Sequence, residues 1–61
     1  MEEIIKLYSA EEVAEMLNTS VDFIYDRIQD HKFRCYRFGR NRRFSIEQIR
    51  DFMDRMEINK Q

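Results

Sequence analysis

The spacing of apolar and polar positions changes along the chain, and each change marks an element. Ser9-Ala10-Glu11-Glu12 opens the first periodic stretch. Serine followed three residues later by glutamate is a capping box: the hydroxyl accepts from the Glu12 amide, and the Glu12 carboxylate accepts from the Ser9 amide. Apolar residues then fall at Ala10, Val13, Ala14 and Leu17, the i, i+3, i+4, i+7 spacing of one helical face. Asn18 suits a helix end. Thr19 and Ser20 open a second helix, with Ser20 as N-cap and Asp22 in the first turn, where the helix dipole favours an acid. Ile24 and Ile28 face the core, and either Val21 or Phe23, not both, completes their stripe. Upstream, Ile4 to Tyr8 is β-branched and aromatic enough for a short strand or extended arm.

From Phe33 the period shortens to two. In Arg34-Cys35-Tyr36-Arg37-Phe38, Tyr36 and Phe38 share one face and Cys35 and Arg37 the other. Gly39, the only glycine, sits where a hairpin turn needs positive φ, a region Asn41 also tolerates. Arg42-Arg43-Phe44 supplies the returning strand. Ser45-Ile46-Glu47-Gln48 is a second capping box. It starts a third helix with Ile46, Ile49, Phe52, Met53 and Met56 on one face; Met16, Met53 and Met56 are expected to be packing residues. Residues 57–61 form a polar tail expected to fray. Residues 1–61 thus read as one domain, mainly α with a small β-hairpin. The order is helix, tight turn, helix, basic hairpin, helix: a winged helix-turn-helix in its smallest form.

Composition narrows the function. Of 61 residues, 43% are apolar and 38% charged, and five Phe and three Tyr can fill a small core. One Cys and one His exclude a disulfide framework and argue against a structural zinc site. They also leave no nucleophile, base and oxyanion set to assemble, so no enzyme, cofactor or small-molecule ligand is expected. No apolar run approaches a membrane span, and the acidic start Met1-Glu2-Glu3 is unlike a signal peptide, so a cytoplasmic protein is expected.

The net charge of −1 conceals a segregation. Residues 1–30 carry −6, residues 31–45 carry +6, and residues 46–61 carry −1. The cationic stretch holds Lys32, Arg34, Arg37, Arg40, Arg42 and Arg43 and no acid. Five of the six are arginines, whose planar forks suit phosphate better than lysine does. Converging on a projecting turn, they point to double-stranded DNA as partner. The plainer reading is a charged edge hairpin that resists aggregation.

Leu7 to Met53 resembles the compact winged-helix domain shared by phage and transposon excisionases, AlpA-like regulators and the DNA-binding end of MerR-type regulators. The resemblance rests on Tyr8-Ser9-Ala10-Glu11-Glu12-Val13-Ala14-Glu15-Met16-Leu17, on Thr19-Ser20 with Ile24-Tyr25 and Ile28, on Tyr36-Arg37-Phe38-Gly39-Arg40, and on Arg43-Phe44-Ser45 leading to Ile49 and Phe52. It implies that the second helix enters the major groove while the wing reaches an adjacent minor groove or its phosphates. It also implies binding at repeated sites side by side, bending of the DNA, and partnership with an integrase or other recombinase. The implied contact residues are Ser20, Asp22, Phe23, Tyr25, Asp26 and Gln29 on the second helix. On the wing they are Arg34, Arg37, Arg40, Asn41, Arg42 and Arg43. Tyr25 is expected to set its ring against the hairpin and its hydroxyl on a phosphate. Where many relatives carry Arg or Lys on the second helix, this chain has Asp22, Asp26 and Asp30, so the wing must supply most of the attraction.

Three functions follow in order. The first is an excisionase-type architectural protein that sets the direction of site-specific recombination in a phage or mobile element. A MerR-type activator would need a coiled coil and an effector domain after the third helix. The second is a small transcription regulator of such an element. The third is a protein-interaction module acting on a host factor through the acidic segment.

Overall fold

The computed structural model describes residues 5–58. Within them the order is β1 (Tyr8–Ser9), α1 (Ala10–Met16), α2 (Val21–Gln29), β2 (Tyr36–Phe38), β3 (Asn41–Phe44) and α3 (Ile46–Met56). This is a small winged helix-turn-helix.

The caps form as the sequence requires. Ser9 and Ser45 each accept from the amide three residues on, and the side chains of Glu12 and Gln48 accept in return from the amides of Ser9 and Ser45. Ser20 caps α2 by accepting from the Phe23 amide at 3.1 Å. Both α1 and α2 end in Schellman motifs. After α1, the Thr19 amide donates to the Ala14 carbonyl and the Asn18 amide to that of Glu15. After α2, the Lys32 amide donates to Arg27 and the His31 amide to Ile28. The residue after each helix cap in this motif is left-handed; here these are Asn18 at φ 56° and His31 at φ 60°.

The strand expected over Ile4 to Tyr8 is shorter and later. It covers Tyr8 and Ser9, which pair with Phe44 and Arg43, while Ile4 lies outside the described residues. β3 is therefore central, in the order β1-β3-β2. Tyr36 faces Arg43, Arg37 faces Arg42 and Phe38 faces Asn41 across a two-residue turn, Gly39-Arg40. Gly39 alone supplies the positive φ, at 65°; Asn41 is in the strand.

Ala10, Val13, Ala14, Ile24, Phe33, Phe44, Ile49 and Phe52 are the buried core. Phe33, in the link between α2 and β2, stacks on Phe52 with centroids 4.0 Å apart and packs at 4.7 Å on Phe44. It thus ties the base of the hairpin to α3. Val21 and Phe23 both pack against this cluster, correcting the expectation that only one would. A second correction concerns α3, where Ile46, Met53 and Met56 are exposed and only Ile49 and Phe52 are buried. Met16 is exposed too. A chain this short fills its core with one narrow line of each helix. Residues 59–61 of the expected tail lie outside the described residues; α3 ends before Glu57.

Candidate nucleic-acid interface

Helix α2 buries Ile24 and turns Val21, Phe23 and Ile28 partly inward. Of the other five positions, Arg27 is half-buried and Asp22, Tyr25, Asp26 and Gln29 are exposed. The i, i+3, i+4 and i+7 spacing of these four makes them one outward stripe. Four of the six candidate residues from this part of the chain therefore share a single face. Ser20 is exposed at the head of the helix, its hydroxyl oxygen engaged as the cap.

Phe23 departs from that set. It is half-buried, with its ring edge-on to Phe52 at 6.3 Å and the Arg27 guanidinium 5.2 Å from its centroid. An apolar ring one position off the outward stripe gains more from this packing than from water. Arg27, the only cation of α2, also meets Asp30 at 3.0 Å. It is spent on the flank of the helix, so Asp22 and Asp26 give the outward stripe a purely acidic charge.

The cations are on the hairpin. Arg37, Arg40 and Asn41 are exposed there, and Arg42 and Arg43 are half-buried; Arg34, also exposed, lies before β2 in the link from α2 rather than on the hairpin itself. Strand alternation places Cys35, Arg37, Arg42 and Phe44 on one face and Tyr36, Phe38, Asn41 and Arg43 on the other. Phe44 is buried, so the first face continues from the core outward into the Arg37–Arg42 pair. Like charges directly opposite each other across a ladder repel. None of the ion pairs among the described residues neutralises either arginine; those pairs are Arg27–Asp30 and Arg55–Asp51. The Nε of Arg37 donates to the Gly39 carbonyl at 3.0 Å, which ties this side chain to the turn. An Nη of Arg43 donates to the Arg42 carbonyl at 2.9 Å. Unpaired guanidinium groups on a stiff, narrow hairpin make an anion-binding edge.

Cys35 has no part in this chemistry. Burial beneath the hairpin raises its thiol pKa, with Arg42 opposing only in part, and a thiol held protonated is a poor nucleophile.

Residues 7–57 match the family model described as a helix-turn-helix domain. The chain belongs to that family. No curated protein and no solved structure matches it significantly. Helix-turn-helix domains suggest DNA binding, so the match supports DNA as partner, and such domains are typically non-enzymatic. Among the described residues, no helix is long and apolar enough to cross a membrane.

Two features of the helix-turn-helix surface are absent from the residue-type reading. One is the Arg37–Arg42 apposition, which counting back from a two-residue turn at Gly39-Arg40 would have given. The other is the exposure of Tyr36 and Phe38, at 49% and 54%. Alternation put them on one face but did not say that the face is open.

Proposed function

We propose that this helix-turn-helix protein is a wing-led DNA-binding architectural protein of excisionase type, acting at repeated sites in the DNA of a phage or mobile element with a recombinase. The observation that carries the reading is the Arg37–Arg42 apposition at the base of a tip bearing Arg40. Such a pair costs the free protein stability, and phosphate oxygens offset that cost. With Arg43 on the same hairpin and Arg34 in the link that leads into it, the wing supplies the attraction that an acidic α2 does not. The outward face of α2 then reads bases through Asp22 and Gln29, a carboxylate being able to accept from the cytosine amino group in the major groove. Copies bind side by side, the net negative charge of residues 1–30 in one copy attracting the net positive charge of residues 31–45 in the next.

Gel shifts on a mixed-sequence duplex test the DNA reading. Four or five arginine–phosphate contacts give log K against log salt a slope of roughly −3 to −5. A slope near zero, or no shift at about 50 mM salt, overturns it. Footprinting on genomic DNA then separates the excisionase role, with repeated sites beside a recombinase core, from a promoter-bound regulator. The acidic stripe of α2 favours a second reading, in which that face docks on a basic protein and the domain shows no affinity for DNA.

A further inference from the structure

Phe38 is the last residue of β2 before the turn, and more than half of its surface is open to water. Its cross-strand partner is Asn41, too small and polar to cover it. Tyr36 lies on the same face with its ring centroid 6.4 Å away, supporting Phe38 from the root side. Together with Leu7, Tyr8 and Ile46 the two rings line a shallow cleft. The tip side carries no such cover: Gly39 is open and Arg40 exposed. Arg40 stands in the turn beyond this ring and Arg43 lies on its face of the ladder, opposite Tyr36, while Arg37 and Arg42 occupy the other face.

An exposed apolar ring with one arginine beyond it in the turn and another on its own face of the ladder matches flat apolar groups stacked between two rows of anions. We infer that Phe38 is a wedge which enters a base step of duplex DNA from the minor groove, while Arg40 and Arg43 hold the phosphates on either side. This rests on the DNA-binding reading and adds a mechanism to it. A hairpin one strand pair wide fits a narrow groove. Apolar side chains inserted at a base step partly unstack it and kink the duplex toward the major groove. The bond from Arg37 Nε to the Gly39 carbonyl stiffens the turn just beyond the ring, so little order is lost on insertion. Bending is then a property of this one side chain, separable from affinity, which belongs to the arginines.

Ring closure of a short duplex by DNA ligase tests this. A mixed-sequence duplex of about 120 bp lies below the ~150 bp persistence length and closes slowly unless bent. The parent protein is expected to raise the closure rate about tenfold or more. Phe38→Ser, brought to equal occupancy by gel shift, is expected to leave closure near that of free DNA, with the salt slope of binding unchanged. Phe38→Leu keeps an apolar wedge and is expected to retain most of the acceleration, which separates wedging from loss of fold; circular dichroism confirms that both variants are folded. If the parent binds no DNA in the same gel shifts, the underlying reading fails and this inference with it. If the parent binds but does not accelerate closure, or if Phe38→Ser accelerates it equally, the wedge alone is overturned and the DNA reading stands.

Discussion

Arg37 and Arg42 face each other across the wing ladder without a carboxylate between them. On the proposed function, folding and binding make opposite demands on this pair. Replacing Arg42 with Gln keeps most of the half-buried stem and removes the repulsion, so the free domain should gain a few tenths of a kcal/mol. If the wing meets phosphates as proposed, the same change removes one contact, so DNA affinity should fall by about 1 kcal/mol on every sequence and the salt slope by about 1. Thermal unfolding and gel shifts on one preparation read both signs. Unchanged affinity would mean that the pair is only a solvated edge.

His31 offers a purely structural test. It occupies the left-handed position of the Schellman motif that ends α2, at φ 60°. A side chain with a Cβ is strained there by about 1–2 kcal/mol, and glycine is not. His31→Gly should raise stability by about 1 kcal/mol and the melting temperature by roughly 4–8 °C. Asn18→Gly should gain less, since asparagine tolerates this region better than histidine. A lower melting temperature for His31→Gly would show that the imidazole makes a contact worth more than the strain.

The two capping boxes differ in one atom type, and that gives a pH test. Glu12 closes the box on α1 and Gln48 the box on α3. The Ser9 amide, hydrogen-bonded to the Glu12 carboxylate, holds its pKa below the ordinary glutamate value; slight burial opposes this, and the Ser9 hydroxyl, Lys6 and Arg43 reinforce it. A lowered pKa in the folded state means that the stabilisation is complete above the unfolded value, about 4.3. It is lost as pH falls through the folded value. Parent and Glu12→Gln should differ in melting temperature near neutrality and converge as pH falls through the folded-state value, below the ordinary glutamate range. A difference constant from pH 7 to pH 3 would show that the carboxylate's charge plays no part.

What could be read from the sequence was what is local. Ser9, Ser20 and Ser45 announce their helices because a cap is decided within four residues. Gly39 announces the hairpin for the same reason. The core was less legible, because it is closed by pairings between distant segments. Nothing near Phe33 says that it will stack on Phe52, nineteen positions away in the chain. Helical spacing gave Met53 and Met56 an apolar face, yet the small core reaches only Ile49 and Phe52. Phe23 shows the same limit at the candidate interface. Its position allowed either side of α2, and the partner ring that decided the matter lies on α3.

The outward stripe of α2 is the last test, because its charge opposes its expected place. Asp22 and Asp26 are both exposed, one turn apart, and no ion pair among the described residues neutralises them. If α2 enters the major groove, Asp22, nearer the helix N-terminus, is the better placed to accept from a cytosine amino group. Its replacement by Ala then has two effects of opposite sign. Removing a negative charge beside phosphates should tighten binding to mixed-sequence DNA slightly. Removing the acceptor should cost about 1–3 kcal/mol of discrimination at one C·G pair of the preferred site. Asp26→Ala should show the first effect more than the second if its carboxylate faces the sugar–phosphate backbone. Stability should change little, apart from a few tenths of a kcal/mol at Asp22 from the lost helix-terminus attraction. Competition with single-base-pair variants of a selected site measures both effects together. Should Asp22→Ala alter neither, α2 lies outside the groove, and the wing alone holds the DNA or the acidic face serves a protein partner.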